Sequence, residues 1–288
     1  MRFLVLGAAG MAGHMVSLYL KEAGHDVTGL ARRELDGVPC VLCDARNTEE
    51  LQRLILSGKY DTVVNCIGIL NRAAEQRKAD AAFLNAYLPH FLAEVTEGLE
   101  TRVIHMSTDC VFSGRTGGYT EDAPRDGETF YDRSKALGEL EDGKNLTLRN
   151  SIVGPDINPG GIGLLNWFMQ QEGPVNGYTG AMWTGMTTLQ LAKVIEKAAE
   201  QGASGLYNMV PVENISKYEL LKLFNRYLRG GRVEIRPFDG VTADKTLIRT
   251  RFAFAETVPG YDAMVWEMAD WMRAHARLYP HYRLLEGA

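Results

Sequence analysis

The opening stretch Met1-Arg-Phe-Leu-Val-Leu-Gly-Ala-Ala-Gly-Met-Ala-Gly13 leaves the chain few folds to choose from. Phe3 to Leu6 form a short apolar run, the pattern of a strand buried on both faces. Gly7, Gly10 and Gly13 follow at once. Then Met15, Leu18, Tyr19 and Ala23 recur at helical spacing until Gly24 stops the segment. Strand, glycine turn and helix is the context in which such glycines bind a dinucleotide. One glycine permits the tight turn, one lets the backbone approach a pyrophosphate, and one lets helix and strand pack closely. Free N–H groups and the positive end of the helix dipole would hold the pyrophosphate. Gly7, Gly10, Met11 and Gly13 are therefore the expected cofactor turn. The spacing is GxxGxxG rather than the commoner GxGxxG.

The alternation continues downstream. Strands are expected over 26–31, 38–43, 61–66, 102–106 and 146–149. Helices are expected over 48–56, with Thr48 as N-cap, and over 79–96, bent before Pro89. This order makes an α/β fold with a Rossmann-like, doubly wound parallel sheet, whose ligands bind at the carboxyl ends of the strands. Those ends fall at Gly7, Arg32, Asp44, Asn65 to Gly68, and Ser107 to Asp109. After Asn150 the texture changes to a breaker-rich loop over 154–163 and short helices over 189–199, 217–227 and 261–279. The expected division is a dinucleotide-binding domain over 1–150 and a smaller, mainly substrate-binding domain over 151–288, some of whose segments return to the first.

The 288 residues carry a formal charge of −5 spread along the chain, which argues against a nucleic-acid partner. No apolar run is long enough to span a bilayer, and the N-terminus lacks a signal peptide, so a cytoplasmic protein is expected. Cys40 and Cys43 have CxxC spacing without a second ligand pair and lie in an expected buried strand. With Cys66 and Cys110 they read as core thiols. His14, His90, His105 and His281 show no metal spacing, and no metal is expected.

The second strong signal is Phe130-Tyr-Asp-Arg-Ser-Lys-Ala-Leu-Gly-Glu139. Tyr131 and Lys135 are four apart and share a helix face. A free phenol has a pKa of about 10, and a nearby ammonium would lower it toward the working pH of a general acid. The pair follows Ser107-Thr108-Asp109, hydroxyls at a strand's carboxyl end.

Gly7/Gly10/Gly13, Ser107-Thr-Asp-Cys-Val-Phe112, Gly118-Tyr-Thr-Glu121 and Tyr131-Asp-Arg-Ser-Lys135 together resemble an extended short-chain dehydrogenase/reductase, most closely the dTDP-4-dehydrorhamnose reductase branch. The resemblance covers the first 150 residues well, then weakens through Leu148 to Ser151 and Trp183 to Ala192. It implies an NADPH-dependent reductase of a nucleotide-activated 4-keto-6-deoxy sugar, with NADH as the alternative cofactor and a homodimer left open. Tyr131 would be the general acid. Lys135 would tune it and hold the nicotinamide ribose. Thr108 would bond the substrate oxygen, with Ser107 and Asp109 flanking it. Cys66, Ile67 and Gly68, like Asp44, would line the cofactor. Asn85 falls where relatives carry an asparagine behind the site, as a substrate contact or a packing amide. Trp183 would pack on the base or sugar, or in the core.

The usual alanine-rich turn after the fourth strand is Cys66-Ile-Gly-Ile-Leu-Asn71 here, and the branch's tryptophan-containing strand is replaced by Asn150-Ser-Ile-Val-Gly154, which leaves the sugar open. Arg32 and Arg33 stand where an acidic residue, about 20 residues past the glycine turn, would bind an NAD ribose, so they are expected to meet a 2′-phosphate. The same-fold rivals are a nucleotide-sugar epimerase or dehydratase and a non-catalytic NADP-binding regulatory subunit. A dehydratase of the superfamily carries an acidic pair beside the active-site Thr, whereas Thr108-Asp109-Cys110 has one acid, and a regulatory subunit needs no Tyr131/Lys135 pair.

Overall fold

The computed structural model describes residues 1–284. The first half runs β1 (Arg2–Leu6), α1 (Met11–Glu22), β2 (Asp26–Ala31), β3 (Cys40–Leu42), α2 (Thr48–Gly58), β4 (Thr62–Asn65), α3 (Asn71–Gln76), α4 (Lys78–Ala81), a π turn (Ala82–Tyr87), α5 (Leu88–Val95), β5 (Arg102–Met106), α6 (Phe130–Leu137) and β6 (Leu146–Arg149). The second half runs β7 (Ser151–Val153), α7 (Leu164–Met169), β8 (Val175–Trp183), β9 (Gly185–Thr187), α8 (Thr188–Gln201), β10 (Gly205–Asn208), β11 (Ile215–Ser216), α9 (Lys217–Arg229), β12 (Ile235–Asp244) and α10 (Tyr261–Ala274).

Seven strands form one parallel sheet in the order β3-β2-β1-β4-β5-β6-β10. The apolar run of β1 explains its central place. Phe3 and Val5 enter one apolar cluster and Leu4 and Leu6 the other, all fully buried. The winding reverses between β1 and β4, and the crevice outside their carboxyl ends is the ligand position of this topology. Smaller sheets, β11-β8-β12 and β7-β9, lie in the second half. Among the described residues no helix is long and apolar enough to cross a membrane.

Several boundaries differ from expectation for local reasons. Asn47, not Thr48, caps α2, its side chain accepting the Glu50 N–H at 3.3 Å. The third strand shrinks to three residues at the sheet edge, where Leu42 is 58% exposed, so it is not a buried strand. All four cysteines are free and, although their residues are partly exposed, each packs against an apolar cluster, as core thiols do. The helix expected over 79–96 is an α–π–α run with its wide turn just before Pro89. Pro89 has no N–H to give Asn85, which releases that helical turn. The last helix ends at Ala274, after which Tyr279 reaches back to α1: its hydroxyl lies 2.8 Å from His14 Nε2. β10 returns from the second half to extend the large sheet, pairing Gly205 with Leu146.

Helix α1 meets β1 through two glycines. Gly7 has φ +76°, a conformation that side chains resist, and a Cβ at Gly13 would lie 2.1 Å from the Gly7 carbonyl oxygen. Gly13→Ala should therefore destabilise the protein by about 1–3 kcal/mol or more, the cost of overpacking. A lowered urea midpoint relative to wild type checks this.

Candidate active site

Three turns meet at the crevice. In the first, the Gly7 and Ala8 N–H groups bond Leu30 O at 2.8 and 3.2 Å, and Gly10 N–H closes on Gly7 O at 2.9 Å. The first helical bond of α1 runs from His14 N to Gly10 O, so the amides of Met11, Ala12 and Gly13 have no intrahelical acceptor. Gly10 offers no capping side chain. The second turn, after β4, packs on the first: a Cβ at Gly7 would sit 3.0 Å from Ile67 and 3.4 Å from the Cys66 backbone. Cys66 and Ile67 thus pack against the glycine turn, with Gly68 following them beside Asn85. Burial pushes the Cys66 thiol up to about 12. Free helix-start amides and a backbone bare of side chains fit a dinucleotide pyrophosphate.

The third turn follows β5 and faces α6. Thr129 and Asp132 form a capping box, each side chain accepting the other's backbone N–H at 3.1 Å, and Glu75 accepts the Phe130 N–H at 2.6 Å. These caps set Tyr131 in the first turn of α6, where it packs with Ile69, Ala74 and Ala81. Thr108 donates to Asp109 Oδ1 at 3.0 Å and accepts the Cys110 N–H at 3.1 Å. Burial raises the Tyr131 phenol above its ordinary range, Cys110 adds to this, and the Thr108 side chain opposes it. Burial also raises the Asp109 carboxyl, which the Thr108 hydrogen bond and Lys245 oppose. A protonated phenol beside a hydroxyl can give a proton and a hydrogen bond to a carbonyl oxygen.

In this structure the hydrogen-bond partners of Lys135 are other than the Tyr131 phenol. Its Nζ donates to Met106 O at 2.5 Å and lies 3.4 Å from His105 Nε2. Burial draws its ammonium down to about 8, against the pull of Glu139 and Cys66.

The other expected site residues separate into open and engaged groups. Arg32 and Arg33 are exposed, and Arg33 Nη2 donates to Ala9 O at 3.0 Å, over the glycine turn. Asp44 is held by Arg46 at 3.0 and 2.7 Å, and the Arg46 hydrogen bonds keep its carboxyl at about 2. Ser107 is engaged, donating to Glu139 Oε1 at 2.6 Å. Asn85, in the π turn, bonds both Ile69 backbone groups (2.8 and 2.9 Å) and Ser134 Oγ (3.1 Å). It ties the second turn to α6, as a packing amide does. Trp183 is a core residue: it is buried and tilted against Tyr261, ring centroids 5.7 Å apart. β8 carries it inward on the buried side of its alternation.

The sequence reading missed a buried hub. Glu139, already bound to Ser107, takes Arg149 Nε and Nη2 at 2.9 and 2.8 Å and also pairs with Arg125. Burial opposes its ionisation, but Arg149, Ser107 and Arg125 hold the carboxyl below its ordinary range. The last residues of the YxxxK…GE series and of β6 were the signal for it. Gly163 was also missed as a neighbour of the glycine turn, with a Cβ there only 3.0 Å from Met11 Sδ.

Removing one partner of this hub should leave a buried charge alone. Glu139→Ala should lose about 3–5 kcal/mol, and Glu139→Leu with Arg149→Met should lose much less. Paired urea denaturation curves decide between them.

Residues 1–152 match the family model described as RmlD substrate binding domain. The probable low-salt glycan biosynthesis reductase of Haloferax volcanii is 34% identical over 139 residues, 47% of this chain and 46% of the relative. That match spans about half of the relative's length. The dTDP-4-keto-6-deoxy-D-glucose reductase of Streptomyces niveus is 27% identical over 295 aligned positions, 97% of this chain and 96% of the relative. The solved dTDP-4-dehydrorhamnose reductase of Bacillus anthracis, in complex with NADP, shares the fold: TM-score 0.77 at 18% identity, covering 93% of this chain and 98% of that one. A model that covers 152 of 288 residues establishes that the chain belongs to the RmlD substrate binding domain family.

Proposed function

We propose that this chain is an NAD(P)-dependent reductase of a nucleotide-activated 4-keto-6-deoxy sugar, preferring NADPH, with Tyr131 as the general acid. The observation that carries the reading is the buried Tyr131 phenol beside Thr108, at the carboxyl end of β5, where burial favours its protonated form. The relatives' names, a dTDP-4-keto-6-deoxy-D-glucose reductase aligned over nearly all of the chain and a probable glycan biosynthesis reductase aligned over about half, support the substrate class.

The amides of Met11, Ala12 and Gly13 would hold the pyrophosphate, with Gly7 and Gly10 keeping the turn bare. Cys66, Ile67 and Gly68 would line the opposite wall. Arg32 and Arg33 would take the 2′-phosphate, and Asp44, already held by Arg46, would border the same end. Lys135 would hold the ribose beside the nicotinamide. When bound, the reduced nicotinamide supplies the hydride for the ketone carbon. Tyr131 gives its proton to the ketone oxygen as the alkoxide forms, and Thr108 orients that oxygen. Residues 154–185, with parts of 205–260, would wall the sugar-nucleotide pocket. The engaged groups Ser107, Asn85 and Trp183 would support these walls rather than touch the substrate, while Asp109 would orient Thr108.

Tyr131→Phe should leave NADPH affinity intact and cut ketone reduction by about 10²–10⁴-fold. NADPH oxidation against a panel of nucleotide sugars reads this out. A wild-type rate in the variant, measured where chemistry limits turnover, overturns the assignment. Replacing Arg32 and Arg33 by Ala should weaken NADPH binding by about 1–3 kcal/mol and leave NADH binding unchanged, the loss expected of charge-assisted contacts. Calorimetric titration with both nucleotides measures the ratio.

A further inference from the structure

His14 lies in the first turns of α1, and Tyr279 follows α10; both are buried. The His14 ring bridges two groups. Its Nδ1 is 2.9 Å from Gly10 O, and its Nε2 is 2.8 Å from the Tyr279 hydroxyl. One proton arrangement satisfies both. A carbonyl oxygen only accepts, so Nδ1 carries the ring proton. Nε2 of the neutral ring is then bare and accepts the Tyr279 O–H. Burial draws His14 down to about 4, against the Gly10 hydrogen bond and Asp156, and raises the Tyr279 phenol. At neutral pH the ring is therefore uncharged and the hydroxyl keeps its proton.

Gly10 O thus receives two donors, the His14 ring and the His14 backbone N–H, both at 2.9 Å. On its other side, Gly10 N–H closes on Gly7 O at 2.9 Å. The Gly10 carbonyl and the Met11 N–H belong to one planar trans unit and point in opposite directions. Fixing the carbonyl along α1 aims the Met11 N–H out of the helix start. Gly10 has no Cβ to resist rotation of that unit, so hydrogen bonds must supply the restraint.

We infer that His14, kept in its Nδ1–H form by the Tyr279 hydroxyl, is a positioning residue that locks the Gly10–Met11 peptide with its amide presented to the pyrophosphate of the dinucleotide. This rests on the reading of the glycine turn as the pyrophosphate site. It adds that the affinity of that site depends on a hydroxyl that bonds His14 rather than the turn itself. A ring that only filled space under α1 would need neither a fixed tautomer nor a hydroxyl on its far nitrogen.

Three measurements on the full chain test this without using turnover. Long-range proton–nitrogen correlation of histidine-labelled protein at neutral pH, with His14 assigned by its loss in His14→Gln, should show a neutral ring protonated on Nδ1. A ring protonated on Nε2, or on both nitrogens, overturns the inference. Tyr279→Phe keeps the aromatic ring and removes the hydroxyl. By calorimetric titration it should weaken NADPH binding about three- to tenfold, the loss of one hydrogen bond, and leave adenosine 2′-monophosphate, which has no pyrophosphate, unchanged. An equal loss for both nucleotides, or no loss for NADPH, overturns the inference. His14→Leu should weaken NADPH binding at least as much, and adding Tyr279→Phe to it should cost nothing further, because the hydroxyl acts through the ring. Additive losses overturn the inference. The wild-type tautomer decides the matter if the variants do not fold. Wild-type protein that binds neither NADPH nor NADH overturns the pyrophosphate reading and the inference together, whereas a contrary result in the variants alone overturns only the inference.

Discussion

The ion pair of Glu139 and Arg149, both buried, fastens the carboxyl end of the sheet. Arg149 ends β6 and Glu139 lies just beyond α6, while Ser107, on the same carboxylate, begins the turn after β5. Arg149 also reaches Asn208 at the end of β10 and lies over the Phe112 ring at 5.0 Å. Phe112 stacks on Tyr119, with centroids 4.3 Å apart. Taking two such charges out of water is costly, and the cost is met only because nearly every donor and acceptor is used. The need for it follows from topology. Three parallel strands end together at a surface that must stay open, so their loops cannot cover one another. The hub ties those ends together beside Thr108.

The large sheet was legible because its signals are local. β1 carries a short apolar run, and β2, β5 and β6 are short, mostly buried segments between turn residues, a pattern that reads the same from sequence as in space. The second half was less legible. β12 is exposed over most of its length, and its residues Ile-Arg-Pro-Phe-Asp-Gly-Val-Thr-Ala-Asp carry no alternation, because only its pairing with β8 makes it a strand. β10 is four residues long, and its place beside β6 depends on a crossover that no local pattern encodes. The site divides in the same way. Gly7, Gly13 and the Tyr131 helix were legible because their constraints are backbone constraints. The direction of the Lys135 side chain was not, since Met106 and His105 approach it only once the sheet is assembled.

Asn85 shows how one substitution in covalent structure propagates. Pro89 withholds an N–H, the helix widens into a π turn, and Asn85 turns inward to bind Ile69 and Ser134. Its own carbonyl is approached by Gly138, where a Cβ would lie only 2.0 Å away. Two irregularities, a proline in one helix and a glycine ending another, thus allow α5 and α6 to come close enough for the turn after β4 to be held from behind.

The bond between His14 and Tyr279 spans 265 positions of sequence. Beyond it, Tyr279 stacks on Tyr282, whose hydroxyl donates to Asn166 at 2.7 Å and accepts the Asp156 N–H at 3.0 Å. The helix that begins at the glycine turn is therefore buttressed by a segment 265 positions downstream. A nascent chain can pair β1 with β2 and β4 early, but the floor under α1 and the loop near Met11 wait for Tyr279 and Tyr282. Completion of the crevice is in this sense a long-range event: until that distant segment docks, β1, β2 and β4 can pair while the cleft beside them stays unfinished.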